Sequence, residues 1–207
     1  MSTEFQWVFD NAETISIDNK PNVSSSMTRS RVVRTVTRGG GSWQFTVKLP
    51  DGLPWDQYRQ QISQMRRVDR HTATDVQIND AGYDSWFMPY QGEMSTTGWV
   101  VTATAGSNLL TITSRPSGTA GDIMFEPGDL IQLGSGGHVY EVVKQAVLGT
   151  DTTIQVHRPV IETTGSYILI VGSNVTFTVV CTQLPNYNLF QRNQVAWDSE
   201  FIFNEVI

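Results

Sequence analysis

The clearest pattern along the chain is a strict alternation of apolar and polar positions over residues 43–49. Its apolar members are Trp43, Phe45, Val47 and Leu49. Because successive side chains of a strand point to opposite faces, this run predicts a strand with one buried face. Residues 31–38 also have strand character, and three consecutive glycines at 39–41 separate the two runs. We therefore predict a β-hairpin whose turn is formed by these glycines.

One helix is predicted, over about residues 54–70, where the apolar spacing changes from two to three and four. The apolar positions are Trp55, Tyr58, Ile62 and Met65, which form one stripe on a helix. Pro54 suits a first helical turn because its missing N–H has no partner there in any case. The opposite side carries Arg59, Arg66, Arg67 and Arg70. The pattern thus predicts an amphipathic helix with a basic outer face.

Most of the remaining chain alternates between short apolar runs and turn residues. The predicted strands are residues 4–9, 15–17, 74–78, 99–104, 109–113, 129–133, 138–143, 153–157, 167–171, 175–182 and 201–207. The polar stretch 22–30, with three serines at 24–26, has no periodicity and is predicted to be a loop. Many short strands separated by Gly-rich turns indicate a mainly β protein, built as a barrel or sandwich with one helix.

The charged residues are few and unevenly distributed. Only 16% of the residues are charged, where an average domain has about a quarter, and the net charge is −6. Residues 29–70 contain nine basic and three acidic groups, whereas residues 71–207 contain four basic and thirteen acidic groups. This separation predicts either subunits that meet head to tail through complementary faces or a basic helix that is simply solvated.

The residue types that carry catalysis or bind metals are sparse. The three histidines, His71, His138 and His157, lack the short spacing of a zinc site, and Cys181 is predicted to be a small buried side chain. Acidic pairs such as Asp122 with Glu126 lie in turn sequences, so a glycosidase is a distant alternative. We therefore expect no enzyme activity, no metal and no cofactor.

Composition also bears on the expected partners. The isoelectric point is about 5.0, so we expect no direct nucleic-acid recognition. No apolar run approaches the roughly 18 residues of a membrane helix, and the acidic start is unlike a secretory signal, so we expect no membrane association or export. The aromatic residues Tyr83, Trp86, Phe87, Tyr90 and Trp99 are predicted to serve in a core, in a protein interface or as a platform for sugars.

Three consecutive segments form a more specific motif. Residues 121–134 (GDIMFEPGDLIQLG) are followed by 138–143 (HVYEVV) and 153–160 (TIQVHRPV). In order and spacing they resemble a segment of tailed-bacteriophage tail-tip and baseplate proteins. Residues 103–112, 43–50 and 197–206 are similar to further strands of the same proteins, so the resemblance covers about residues 43–207.

The resemblance implies a distal-tail or baseplate-hub subunit. Such proteins are β-rich, commonly form rings of six and join the tail tube to the host-binding apparatus. It implies that residues 1–79 and 173–207 form one barrel and that residues 80–172 are an inserted second small β-barrel domain, OB-like or sandwich. It further implies a structural protein of the virion, made in the bacterial cytoplasm, with its own copies and other tail tube and baseplate proteins as partners.

Two hypotheses assign sites within this framework. In the first, Arg59, Arg66 and Arg70, on one helical face, meet acidic residues of an adjacent subunit. In the second, the inserted domain is a carbohydrate-binding module that recognises host surface glycans through Trp86, Tyr90 and Trp99, because exposed aromatic rings stack on sugars.

Overall fold

The computed structural model describes residues 5–20, 23–27, 33–37, 41–67, 72–78, 87–190 and 193–207. The chain divides into two compact units. We call Met1–Asp10 with Thr74–Thr178 the acidic unit and Asn11–Ala73 with Val179–Ile207 the basic unit. The domain boundaries expected near residues 80 and 172 remain a prediction.

The protein is mainly β with one long helix, as the sequence predicted. In chain order the elements are α1 (Gln6–Asp10), β1 (Thr14–Lys20), β2 (Val23–Met27), β3 (Val33–Thr37), β4 (Ser42–Lys48), β5 (Leu53–Pro54), α2 (Trp55–Arg67), β6 (Thr74–Val76), β7 (Val100–Ala103), β8 (Leu109–Ser114), β9 (Ile123–Phe125), β10 (Leu130–Leu133), β11 (Val139–Glu141), β12 (Ala146–Val147), β13 (Thr153–Gln155), β14 (Gly165–Val171), a 3₁₀ turn (Gly172–Asn174), β15 (Phe177–Gln183), β16 (Tyr187–Phe190), β17 (Gln194–Trp197) and β18 (Phe201–Glu205).

The basic unit is organised around β4. Strand β4 lies between β1 and β18, and β18 continues the antiparallel order to β15. Phe45 is opposite Ile17 on one side and Phe203 on the other. The predicted apolar face is confirmed, because Trp43, Phe45 and Val47 are buried along β4. This face forms the core of the sheet.

Helix α2 begins directly from a second, three-stranded sheet of the basic unit. Its order is β16, β17, β5, and Leu53 of β5 pairs with Val195 of β17. The Trp55 N–H then donates to the Asn193 carbonyl at 2.6 Å, so the first helical residue is tied to the same sheet. Ile62 and Met65 are the buried residues of the helix. The helix is described to Arg67, so its predicted end near residue 70 lies outside the described residues.

The acidic unit contains a closed barrel. Six antiparallel strands run in the order β11, β10, β14, β7, β8, β13. The two edge strands then meet, because Val142 bridges Val156 and the Val143 N–H donates to the Gln155 carbonyl at 3.0 Å. A cluster of buried side chains that includes Phe125, Tyr140 and Leu110 fills the interior. Closure removes the open strand edges that would otherwise pair with other chains.

The predicted N-terminal strand is wrong, because residues 6–10 form helix α1. Phe5, Val8 and Phe9 are all buried, and their spacing of three and four places them on one side of a helical turn. The Gln6 side chain, with 2.7 and 2.8 Å hydrogen bonds, donates to the carbonyl and accepts from the N–H of Gln77. These hydrogen bonds fix the short helix beside Gln77, which directly follows strand β6.

The predicted hairpin between residues 31–38 and 43–49 is also corrected. Strand β3 pairs with β2, whereas β4 pairs with β1 and β18. Strand β2 contains the serines at 24–26 that were predicted to be a loop. Strand pairing uses backbone groups, which every residue carries, so a serine run can pair without an apolar pattern. The proposed turn glycines 39 and 40 lie outside the described residues.

Candidate functional site

A groove of about 720 Å³ that is open to solvent lies along helix α2 in the basic unit. Its walls are Trp55, Arg59, Gln60, Ser63, Gln64, Arg66, Arg67 and Tyr187. We call this feature the arginine groove. It contains two of the three arginines that were predicted from the sequence to form an interface.

Helical periodicity explains which side chains line the groove. Trp55, Arg59, Ser63 and Arg66 follow one another at spacings of four, four and three, and thus form one row on the helix surface. Gln60, Gln64 and Arg67 form the adjacent row. The depression between the rows is walled by long polar side chains, while the buried Ile62 and Met65 hold the other face of α2 in the core.

Tyr187 of β16 adds an aromatic wall to the groove. Its ring stacks on Trp55, with centroids 5.3 Å apart and an interplanar angle of 28°. The guanidinium carbon of Arg66 lies 5.2 Å from the centre of the same ring. Trp197, on the neighbouring strand β17, contacts Tyr187 edge to face at 5.7 Å. Tyr187 therefore joins the helix to the three-stranded sheet.

The groove is electropositive. Arg59, Arg66 and Arg67 are exposed, and within the described part of the chain no carboxylate lies within ion-pair distance of them. Asp56, in the first turn, and the last-turn arginines Arg66 and Arg67 suit the helix dipole. Guanidinium groups present planar forks of donors that match carboxylates, and an aromatic wall supplies apolar contact area. The groove can therefore bind an anionic partner.

The sequence identified only part of this site. Arg59 and Arg66 lie together in the groove, while Arg70 lies outside the described residues. Arg67 was recognised only as one of the arginines on the polar helical side. Tyr187 was missed, because its contribution depends on strand β16 reaching the helix, and no local pattern near residue 187 indicates such a contact.

Trp99 does not have the exposed position that the glycan hypothesis requires. Trp99 is 0% exposed, its indole N–H donates to the Ser95 carbonyl at 2.7 Å, and its ring lies 4.7 Å from that of Phe125. It is a core residue, so it offers no ring face to a sugar, which corrects its assignment to an exposed platform. Trp86 lies outside the described residues.

Tyr90 is half-buried and also has a structural partner. Its hydroxyl donates to the Met124 carbonyl, and its ring contacts Phe125 edge to face. Burial, together with the nearby Asp129 charge, raises the pKa of Tyr90. With Trp99 in the core, the described residues do not bring the predicted aromatic platform together.

Residues 121–134 supply polar side chains that hold the barrel backbone. Asp129 is buried and accepts hydrogen bonds from the N–H groups of Glu126 at 2.8 Å and Gln91 at 2.7 Å. Gln132 is also buried; it donates to the Gly137 and Thr176 carbonyls and accepts from the Thr176 N–H. Buried backbone groups require such partners. These motif positions therefore organise the fold.

A second polar cluster lies beside β11. Glu162 accepts from the backbone N–H of His138 at 2.6 Å, lies 3.0 Å from His138 Nδ1, and accepts from the Tyr140 hydroxyl. That hydroxyl in turn accepts from the Ile161 N–H at 2.8 Å. Burial alone raises the pKa of Glu162, but the hydrogen bonds from His138 and Tyr140 outweigh it and lower this pKa to about 2. Glu162 is thus held as a carboxylate.

His157 and Arg158 lie where β11 and β13 meet. His157 Nδ1 accepts the Glu141 N–H at 2.8 Å, and the His157 N–H donates to the Glu141 carbonyl at 3.0 Å. Burial and the Arg158 charge lower the pKa of His157 to about 4. Arg158 is 1% exposed, and its guanidinium donates to the Val139 carbonyl and lies 5.1 Å from the Tyr140 ring centre. These contacts secure the closure of the barrel.

No protein-family model matches the chain, and no curated protein matches it significantly. Across the described residues, no group of three or more His, Cys, Asp or Glu side chains is placed to hold a metal ion. In the same part of the chain, no helix is both long and apolar enough to cross a membrane.

Proposed function

We propose that this protein is a structural subunit of a bacteriophage tail tip or baseplate. In this proposal six copies form a ring that connects the tail tube to the host-recognition apparatus. The arginine groove is the observation that carries the proposal, since an exposed row of arginines beside a fixed aromatic wall suits contact with another protein.

The physical requirements of a ring subunit agree with the described features. Such a subunit needs a rigid body with at least two faces that contact neighbours. The closed barrel of the acidic unit is held by buried polar side chains such as Asp129 and Gln132, which supports rigidity. The basic unit presents the arginine groove as a face. The assignment to a phage tail rests on the resemblance of residues 43–207 to tail-tip and baseplate proteins.

The assembly can be tested with the purified protein. Size-exclusion chromatography with light scattering measures the mass in solution, and negative-stain electron microscopy shows the shape. We expect a closed ring with a mass near six times 23.1 kDa. A strictly monomeric protein at high concentration, both alone and with a tail tube protein added, would contradict the proposal.

The location is tested separately. Mass spectrometry of purified phage particles should detect this chain, and an antibody against it should label the tail tip in electron micrographs. Antibodies against a capsid protein serve as the control, because they should label only the head. Absence of the chain from the particles would overturn the virion assignment whatever the mass in solution.

A further inference from the structure

The two compact units carry opposite net charges. The acidic unit contains three basic and twelve acidic residues, for a net charge of −9. The basic unit contains eleven basic and eight acidic residues, for a net charge of +3. Because the two units differ in sign, unlike units of two copies attract each other and like units repel each other.

Three carboxylates of the acidic unit hydrogen-bond to backbone groups in or near the β9–β12 ladder, where Ile123 pairs with Val147. Glu93 accepts the Ile123 N–H at 2.8 Å, Asp122 accepts the Thr119 N–H at 2.6 Å, and Asp151 accepts the Val147 N–H at 2.9 Å. We call these three residues the carboxylate rim. The hydrogen bonds hold the carboxylates in position, so little side-chain entropy is lost when a partner binds.

The carboxylate rim is available to a cation from another copy. Glu93 is exposed, and Asp122 and Asp151 are half-buried. Among the described lysines and arginines, none lies within ion-pair distance of these carboxylates. The arginine groove has the complementary property, since three guanidinium groups line it and no carboxylate does.

We propose that the arginine groove of one copy receives the carboxylate rim of a second copy, so that the chains associate head to tail. The inference rests on the proposed function, because it names the surfaces through which the ring subunits meet. In such a contact each copy uses two different surfaces, and repetition of the contact gives a closed ring or an open filament. Arg59 and Arg66 pair with the incoming carboxylates, while Trp55 and Tyr187 supply apolar contact.

The first test reverses the charge of the arginine groove and of the carboxylate rim in separate variants. The groove variant is R59E/R66E/R67E, and its control is R115E, an exposed arginine of the acidic unit. The rim variant is E93K/D122K/D151K, and its control is E200K, an exposed position of the basic unit. We expect both triple variants to raise the dissociation constant on the order of 100-fold or more, and both controls to assemble like the wild type.

The second test mixes two neutral variants, R59Q/R66Q/R67Q for the groove and E93Q/D122N/D151N for the rim, because the charge-reversed variants would also bind each other through the exchanged charges. A groove variant retains a good rim, and a rim variant retains a good groove, so the mixture has one productive contact per pair. Head-to-tail binding predicts that each variant alone is monomeric and that the mixture stops at dimers, measured by analytical ultracentrifugation. Normal assembly of the groove variant, or failure of the mixture to form dimers, would overturn the inference.

Circular dichroism and thermal unfolding establish that the variants are folded. If the rim lysines prevent folding, the amide variant E93Q/D122N/D151N replaces them, because each amide oxygen still accepts the same backbone hydrogen bond. Normal rings from the groove variant reject this contact but leave the ring proposal intact. Absence of the chain from phage particles rejects the proposed function, whereas the mixing result still decides whether copies bind head to tail.

Discussion

The guanidinium of Arg66 lies over the ring of Tyr187, 5.2 Å from its centre, and thereby joins the last turn of α2 to strand β16. The other neighbour of this ring is Trp55, at the first turn of the same helix. A single tyrosine therefore contacts both ends of the helix that carries the arginine groove. We therefore expect both the stability of the basic unit and the shape of the groove to depend on it.

Replacement of Tyr187 tests this dependence. Y187A removes the stacked ring and the surface under Arg66, so we expect the free energy of unfolding to fall by about 1–3 kcal/mol and assembly to weaken. Y187F keeps the ring and should behave like the wild type in both respects. Urea denaturation followed by circular dichroism measures the first effect, and light scattering measures the second. Equal losses in the two variants would contradict the role of the ring.

Replacement of the buried Gln132 tests the structural role of residues 121–134. Q132A leaves the Gly137 carbonyl and both backbone groups of Thr176 without their partner inside the protein, so we expect a loss of about 2–4 kcal/mol in the free energy of unfolding. Gln145 is exposed and makes one hydrogen bond, to Glu126, so Q145A is the matched control and should change stability little. Similar stability of Q132A and the wild type would exclude the proposed structural role.

The lowered pKa of Glu162 predicts that the folded protein loses stability at low pH. Its pKa is about 2 in the folded protein, below the ordinary value of 4.5, because His138 and Tyr140 hydrogen-bond the charged form. A lowered carboxyl pKa contributes stability above pH 4.5, and this contribution is lost as the pH falls toward 2. Denaturation of the wild type and of E162Q across this range should show a smaller pH dependence in the variant. Parallel curves would show that Glu162 does not carry this effect.

The lowered pKa of His157 predicts a second loss of stability, at a higher pH than that of Glu162. Its folded-state pKa is about 4, below the ordinary value of 6.5, because burial and Arg158 disfavour the charged ring. Protonation is therefore easier in the unfolded chain, and stability should fall as the pH drops from about 6.5 to 4. H157N has no titrating ring and should flatten this part of the curve. A pH dependence of H157N equal to that of the wild type between pH 6.5 and 4 would contradict this assignment.

Local patterns were enough to predict the elements whose contacts are local. The alternation in β4 identified its buried face, and the spacing of Trp55, Ile62 and Met65 identified α2. Helix α1 was missed because it is five residues long and its apolar spacing also fits a short strand. Strands β16 and β17 were missed because they have no buried stripe that repeats along the chain.

For the candidate site, the sequence by itself determined that basic side chains share one face of a helix, since that follows from a period of 3.6 residues. Only the tertiary structure decided that Tyr187 stands beside them and that Trp99 is enclosed in a barrel core. It also decided that β4 pairs with β1 and β18 instead of β3. Partner choice and barrel closure depend on packing between residues far apart in the chain, which local periodicity does not encode.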